Sequence, residues 1–151
     1  MKRREGFALM AAAGGASLLS ALAGCATPPG AAAGAVPAVA PRGSNDLGLV
    51  IERAVGRVAV VDTTHPAVLA RITGLGDLSH ASVVFARDGA RAYVFGRDGA
   101  VTRVNLLTAR IEARVLQAGN SIGGAISQDG RLVAAQNYQP GGVKVFDAKT
   151  L

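Results

Sequence analysis

His80 is the residue of this sequence whose type and position best suit chemistry. It ends the run Asp77-Leu-Ser-His80, directly before a stretch of β-type residues that begins at Ser82. A histidine in such a loop can bind a metal through its neutral imidazole, or can move a proton at physiological pH. The competing interpretation is a loop histidine that only makes a hydrogen bond. The second histidine, His65, precedes Pro66 in a predicted turn, where we expect it to be exposed.

Cys25 is the single cysteine of the chain, and its surroundings predict a lipid attachment site. A basic start, Lys2-Arg3-Arg4, precedes a small and apolar run that ends in Leu22-Ala23-Gly24-Cys25. The run is short and glycine-rich for a membrane-spanning helix, and its ending is typical of the lipobox of exported bacterial lipoproteins. We therefore expect residues 1–25 to be a lipoprotein signal that leaves Cys25 as the acylated amino terminus. The alternative is an ordinary secretory signal with an incidental cysteine.

This predicted processing implies a compartment and limits the chemistry of the mature chain. Several acyl chains, at about 0.8 kcal/mol per buried CH₂, make a nearly permanent anchor. Ala26 follows the cysteine where an Asp would signal inner-membrane retention, so we expect a periplasmic protein anchored in the outer membrane. Because its one cysteine is acylated, the mature chain has none for disulfides, zinc sites or nucleophilic catalysis.

Composition and motifs argue against several classes of function. The net charge is +6, and residues 1–25 carry three basic residues and one acidic residue, so removing them leaves +4. With no block of Lys or Arg and only two Tyr, four Phe and no Trp, a nucleic-acid surface is not indicated. Paired carboxylates or a Ser-His-Asp set that would suggest a hydrolase are not found. The glycine-rich run 119–124 lacks the spacing and the following helix of a dinucleotide-binding loop.

Two segments of different composition follow the predicted signal. Residues 26–45 contain four of the six prolines among Ala and Gly, which predicts a disordered tether. From residue 46 onward, nine short β-type runs are separated by turns such as Asp88-Gly89, Asp98-Gly99 and Asp129-Gly130. The runs are 49–51, 57–62, 68–72, 82–85, 92–95, 101–106, 111–116, 132–136 and 143–146. No segment keeps a helical period with caps, so the domain 46–151 is predicted to be all-β.

The β-type runs repeat with a period near 42 residues. Phe85-Ala-Arg-Asp-Gly returns 41 residues later as Ile126-Ser-Gln-Asp-Gly. Val60-Val-Asp-Thr returns as Arg103-Val-Asn-Leu and again as Val145-Phe-Asp-Ala, at spacings of 43 and 42. Such a period with about four strands per copy is typical of the blades of a β-propeller. A β-sandwich with coincidental spacing is the alternative, but two separate motifs share the one period.

The number of predicted blades is small for this architecture. About two and a half four-stranded blades fit into residues 46–151, whereas closed propellers need four to eight. An open array leaves blade faces and strand edges exposed. We therefore expect the chain to be a fragment of a longer protein.

The same segments resemble the d1-haem propeller family, which includes the cytochrome cd1 nitrite reductases and proteins of haem d1 biosynthesis. The resemblance is carried by the segments 49–53, 60–64, 76–85, 96–99, 118–130 and 137–147. It covers essentially all of 46–151, and the length of the matching runs makes it specific. Members of the family form eight-bladed propellers, which implies that more than half of the domain is missing from this chain.

The resemblance implies roles for five residues. His80 stands where the reductases supply the proximal ligand to the haem iron, which implies that it is the metal ligand or a catalytic residue. Arg53 and Arg97 match positions whose arginines meet the carboxylates of the cofactor, for which a guanidinium is a planar, permanently charged partner. Asn120 stands where the reductases have a further arginine, and Tyr138 matches an aromatic residue near the pocket. The competing interpretation, without the resemblance, is that the two arginines are solvated and that Tyr138 is a packing residue.

The resemblance also implies a function. The chain would be part of a periplasmic lipoprotein of haem d1 biosynthesis that binds haem d1 or a precursor, such as dihydro-haem d1, over the mouth of the propeller. It would either dehydrogenate the precursor or deliver it. The implied partners are cytochrome cd1 nitrite reductase, a related d1-domain maturation protein, and the membrane through the lipid anchor. The alternative is a propeller lipoprotein that acts as a scaffold for protein–protein contacts.

Overall fold

The computed structural model describes residues 46–151, so Cys25 and the predicted signal and linker segments lie outside the described residues. The described chain is built of β-strands, with a 3-10 turn over Arg53–Val55. The strands are β1 (Leu47–Glu52), β2 (Arg57–Asp62), β3 (Ala67–Ile72), β4 (Ser82–Phe85), β5 (Arg91–Phe95), β6 (Ala100–Asn105), β7 (Arg110–Leu116), β8 (Asn120–Ile126), β9 (Leu132–Gln139) and β10 (Gly142–Asp147). The all-β prediction is confirmed. Within residues 46–151, no helix is long and apolar enough to cross a membrane.

The strands form three antiparallel sheets that follow one another along the chain. Strands β1 to β3 form the first, β4 to β7 the second, and β8 to β10 the third. These sheets are named blade one, blade two and blade three. Each is a meander of neighbouring strands, as in a propeller blade. The sequence repeat makes β2, β6 and β10 equivalent, so blade one corresponds to the last three strands of blade two and blade three to the first three.

Turn chemistry explains why the repeat is visible in the sequence. The repeated position is Asp62 at the end of β2, Asn105 at the end of β6 and Asp147 at the end of β10. In all three copies its side-chain oxygen accepts hydrogen bonds from the backbone N–H groups two and three residues later, at 2.8–3.1 Å. Asp and Asn are favoured where a side chain must cap a turn in this way.

Blade two is buried on both faces, and this explains why its strand β5 is apolar at successive positions. Ala92 and Val94 of β5 face a core shared with blade one, and Tyr93 and Phe95 face a core shared with blade three. These four residues are at most 2% exposed. Because alternate residues of a strand point to opposite faces, a strand with two buried faces becomes continuously apolar.

Strand β8 has no counterpart among the nine predicted runs, because Gly123 and Gly124 lower its β-propensity. The structure shows why glycine is present. A Cβ atom on Gly124 would overlap the Phe95 ring and the carbonyl oxygen of Ala134. Glycine therefore lets β8 approach blade two closely, and the glycine-rich run is part of a strand.

The connections between strands lie alternately at two ends of the blades, because successive strands run in opposite directions. The upper end consists of the connections 53–56, 73–81, 96–99, 117–119 and 140–141. The lower end consists of the segments 63–66, 86–90, 106–109, 127–131 and 148–151. Neighbouring blades touch at both ends. Arg53 Nη1 donates to the Ser79 carbonyl oxygen at the upper end, and Arg87 Nε donates to the Ser127 carbonyl oxygen at the lower end.

Candidate ligand-binding site

All five residues to which the resemblance gives a role lie at or next to the upper end. Arg53 begins the 3-10 turn between β1 and β2, His80 lies between β3 and β4, and Arg97 lies between β5 and β6. Asn120 is the first residue of β8, and Tyr138 is the last but one of β9. The alternation of strand directions thus collects residues that are far apart in the sequence.

His80 is presented by the loop 73–81, which the core holds firmly. Leu75 and Leu78 are each 1% exposed and pack in the core between blades one and two, together with the buried Ala81. The backbone N–H of Ala81 donates to the carbonyl oxygen of Leu78 at 3.1 Å, which closes a tight turn around His80. His80 itself is exposed. Buried leucines therefore fix the loop, while the histidine stays accessible.

Asp77 organises this turn and joins it to the next loop. Its Oδ1 accepts a hydrogen bond of 2.8 Å from the backbone N–H of Ser79, and its carbonyl oxygen accepts one of 2.8 Å from the backbone N–H of Arg97. The hydrogen bonds from Ser79 lower the pKa of the Asp77 carboxyl below its ordinary value, against a smaller effect of burial, and the nearby Arg97 and His80 lower it further. The carboxyl group is therefore ionised at neutral pH.

Two guanidinium groups approach the His80 loop from neighbouring blades. Arg53 Nη1 donates to the carbonyl oxygen of Ser79 at 3.4 Å, a long hydrogen bond. The Arg97 side chain is exposed and makes no hydrogen bond or ion pair within residues 46–151. Both cations can therefore accept an anionic partner without first breaking a strong contact.

Asn120 and Tyr138 lie on blade three, and within the described residues no hydrogen bond links them to His80. Asn120 pairs with Gln139 in the β8–β9 ladder, and its side-chain oxygen is buried without a hydrogen-bond partner. Tyr138 is 71% exposed. The structure thus brings His80 and the two arginines together at one loop, and places these two residues side by side on a different blade.

Further buried polar groups lie near the upper ends of β4, β8 and β9, and the sequence analysis did not single them out. Gln117 and Asn137 are 8% and 7% exposed, and Gln117 Nε2 donates to Asn137 Oδ1 at 2.6 Å. The Gln117 Oε1 and Ser82 Oγ atoms are buried with no hydrogen-bond partner. The sequence offers no signal for them, because polar residues at strand ends are usually solvated.

A cavity of about 550 Å³ lies at the lower end, away from these residues. Four of its charged side chains already pair with one another. Glu112 accepts hydrogen bonds from Arg91 Nε at 2.9 Å and from Arg103 Nε at 3.0 Å, and Asp88 also pairs with Arg91 at 3.0 Å. The cavity is therefore a junction between blades two and three and belongs to the packing of the fold.

The chemistry of the upper end suits a metal that brings its own ligands. Within residues 46–151, no three His, Cys, Asp or Glu side chains come together as a metal site. A haem needs only axial ligands from the protein, and one accessible imidazole can supply one. The two arginines whose backbone or side chain contacts the same loop carry guanidinium groups that suit the carboxylates of such a ring.

Three successive antiparallel blades, with a histidine and two arginines at one end, define a partial β-propeller with a candidate haem-binding end. A comparison with protein families also identifies the family. The chain belongs to the Cytochrome D1 heme domain family, whose model matches residues 42–151.

Individual relatives agree with this membership. Protein NirF of Pseudomonas aeruginosa is 60% identical over 134 residues, which cover 89% of this chain and 32% of that protein. Protein NirF of Stutzerimonas stutzeri is 66% identical over 110 residues, which cover 73% of this chain and 28% of the relative. The solved structure of dihydro-heme d1 dehydrogenase NirN in complex with DHE has a TM-score of 0.66 and 31% identity, covering 72% of this chain and 23% of that one. The partial propeller is thus confirmed, and the chain spans about a third of the length of these NirF proteins.

Proposed function

We propose that this chain is part of a lipid-anchored periplasmic protein of haem d1 biosynthesis, which binds haem d1 or a precursor such as dihydro-haem d1 at its upper end. The observation that carries the proposal is the junction of His80, Arg53 and Arg97 at one loop of a chain from the d1 haem domain family. Its similarity to NirF proteins and to NirN, which was solved with DHE bound, supports the same ligand class.

His80 is the residue that we assign to the iron. It is exposed, and the buried Leu75 and Leu78 hold the loop on either side of Asp77. A neutral imidazole has one nitrogen with a lone pair, which can bind iron without the loss of a side-chain hydrogen bond within residues 46–151. The bound group would supply the iron and the conjugated ring, and the protein would supply this ligand and the orientation of the ring.

Arg53 and Arg97 are assigned to the carboxylates of the ring. Within the described residues, the Arg97 side chain makes no hydrogen bond that a ligand would have to displace. Arg53 makes only the 3.4 Å hydrogen bond to the carbonyl oxygen of Ser79. Charge-assisted hydrogen bonds to carboxylates are about twice as strong as neutral ones. The two arginines lie on different blades, so together they would fix the rotation of the ring above His80.

Asn120 and Tyr138 would meet the ligand from blade three. The buried oxygen of Asn120 can accept a hydrogen bond, and the exposed ring of Tyr138 can pack on an aromatic macrocycle. The bound precursor would then be dehydrogenated, with His80 as the candidate catalytic residue, or delivered to cytochrome cd1 nitrite reductase. A related d1-domain maturation protein would be the second partner.

Titration of the full-length protein with dihydro-haem d1, followed by absorption and electron paramagnetic resonance spectra, tests the ligand and the role of His80. We expect the wild-type protein to shift the Soret band and His80→Ala to abolish that shift. His65→Ala is the matched control, because His65 lies at the lower end with a side chain that is 59% exposed. No shift with the wild type would contradict the proposed ligand, and an unchanged shift with His80→Ala would contradict the role of His80.

Two further experiments address the remaining parts of the proposal. Oxidation of the bound precursor on addition of an electron acceptor would support dehydrogenation. Transfer of the chemically unchanged precursor to apo-reductase would support delivery.

Cell fractionation tests the anchor. We expect the wild type to be found in the membrane fraction and to incorporate labelled palmitate, and Cys25→Ser to remain unlabelled; a labelled Cys25→Ser variant or a soluble wild type would contradict lipidation at Cys25.

A further inference from the structure

We infer that Asp77 is a positioning residue for His80, because its side chain caps the turn from which the imidazole projects. The inference rests on the proposed function, in which His80 binds the iron. Asp77 does not reach the ligand itself in this scheme. It acts through the backbone of Ser79, which directly precedes His80.

The contacts of Ser79 show how the cap acts on His80. The Ser79 N–H donates to Asp77 Oδ1 at 2.8 Å, and the Ser79 carbonyl oxygen accepts from Arg53 at 3.4 Å. That carbonyl belongs to the peptide bond between Ser79 and His80, whose atoms lie in one plane. Holding both polar groups of Ser79 therefore restricts its two backbone dihedrals, and with them the direction in which the His80 side chain leaves the loop.

The backbone of Asp77 sets the distance between two of the proposed ligand contacts. Its carbonyl oxygen accepts the Arg97 N–H at 2.8 Å, so the His80 loop and the Arg97 loop move together. A Cβ atom on Gly96 would lie 3.2 Å from this same oxygen, closer than most Cβ contacts, and glycine at that position leaves the approach open. Asp77 thus links the turn that carries His80 to the connection that carries Arg97.

The position of this turn distinguishes Asp77 from the other capping residues. The same interaction, an acidic or amide oxygen that accepts the N–H two residues later, recurs throughout the described chain. It occurs at Asp62, Asp88, Asp98, Asn105, Asp129 and Asp147. Two of these seven turns contain a histidine three residues after the cap, and the one at Asp77 lies at the upper end with His80, whereas the one at Asp62 lies at the lower end with His65. Asp147, which caps a turn at the lower end, therefore provides a matched control.

The test compares Asp77→Ala, Asp77→Asn and Asp147→Ala in the full-length protein. Asn keeps an acceptor oxygen and caps such turns well, whereas Ala removes the cap. We expect Asp77→Ala to weaken binding of dihydro-haem d1 about tenfold, which corresponds to about 1.4 kcal/mol, and to alter the spectrum of the bound iron. Asp77→Asn should restore both readouts, and Asp147→Ala should leave both unchanged.

Hydrogen exchange of the ligand-free protein gives an independent readout of the turn. A peptide covering residues 77–81 should exchange faster in Asp77→Ala than in the wild type, and Asp77→Asn should preserve the slower rate. If Asp77→Ala does not fold, Asp77→Ser replaces it, because a serine hydroxyl makes the same turn more weakly and should give intermediate exchange and affinity.

The outcomes separate this inference from the proposed function. Wild-type affinity and spectrum in Asp77→Ala, equal losses in the Asn and Ala variants, or unchanged exchange at 77–81 would each overturn the role of Asp77. Absence of binding by the wild type would instead overturn the proposed ligand, and the exchange rates would still decide whether Asp77 holds the turn.

Discussion

The phenol of Tyr93 donates a hydrogen bond of 2.6 Å to the carbonyl oxygen of Ala148. Tyr93 is 2% exposed on β5 of blade two, and Ala148 directly follows β10 of blade three, so this bond joins two blades. Arg103 Nη1 donates to the same oxygen at 3.0 Å. Burial raises the pKa of the Tyr93 phenol, so the hydroxyl group stays protonated and remains a donor at neutral pH.

Tyr93→Phe should lower the free energy of unfolding by about 1 kcal/mol, the usual net contribution of one hydrogen bond. The loss is limited because Arg103 still donates to the Ala148 carbonyl oxygen. Urea denaturation of the full-length protein measures it. Tyr138→Phe is the control, since that ring is 71% exposed and a surface change should stay within about 0.5 kcal/mol. Equal midpoints for wild type and Tyr93→Phe would show that the bond adds nothing.

Gly124→Ala should destabilise the junction of β8 with blade two. A methyl group there would overlap the Phe95 ring and the Ala134 carbonyl oxygen, and overpacking of this kind costs about 1–3 kcal/mol. Gly141→Ala is the control, because nothing lies within 4 Å of a Cβ atom at that position. Thermal denaturation should show a lower Tm for Gly124→Ala alone, and similar Tm values for the two variants would contradict the close approach.

Local chemistry made much of the fold predictable from the sequence. The caps at Asp62, Asn105 and Asp147 repeat because each blade needs the same turn, and a side chain that bonds its own neighbouring backbone leaves its mark in the sequence. The same holds for Gly89 and Gly99, whose positive φ angles of 65° and 85° the hairpins require. These features gave the all-β class and the blade period.

Contacts between distant residues could not be predicted in this way. The glycine-rich run 120–126 is a strand that pairs with β9, and its Gly124 leaves room for Phe95 of another blade, a requirement that no local pattern records. The roles proposed for His80 and the two arginines rest on family resemblance, since single exposed residues carry no periodicity. The link from Asp77 to Arg97 joins two connections through backbone atoms, which the residue types do not reveal.

Arg97→Gln should weaken binding of dihydro-haem d1 by about 10- to 100-fold, because a hydrogen bond to a charged group contributes about 1.5–3 kcal/mol. Stability should change by less than about 0.5 kcal/mol, since the exposed Arg97 side chain makes no hydrogen bond or ion pair within residues 46–151 and acts on Asp77 only through its charge. Arg110→Gln, an exposed arginine at the first residue of β7 near the lower end, is the control. Fluorescence or absorption titrations give the affinities, and an equal effect of both variants would point to long-range charge rather than contact.

Glu112 should make stability depend on pH in the acidic range. Burial opposes its ionisation, but hydrogen bonds from Asn105 and Arg91 and the charges of Arg91 and Arg103 outweigh burial and lower its pKa below the ordinary value near 4.5. Because the folded-state pKa is the lower one, the stabilisation is fully present above about pH 4.5 and is lost as the pH falls from there through the folded-state pKa.

Glu112→Gln should therefore be less stable than the wild type at pH 7, and the difference between them should shrink as the pH falls from about 5 to 3. The amide keeps one acceptor oxygen but cannot carry the charge that pairs with Arg91 and Arg103. Urea denaturation at pH 7, 5, 4 and 3 measures both proteins under the same conditions. A constant difference across this range would mean that the carboxylate contributes through packing and hydrogen-bond geometry, and that its ionisation is not coupled to folding.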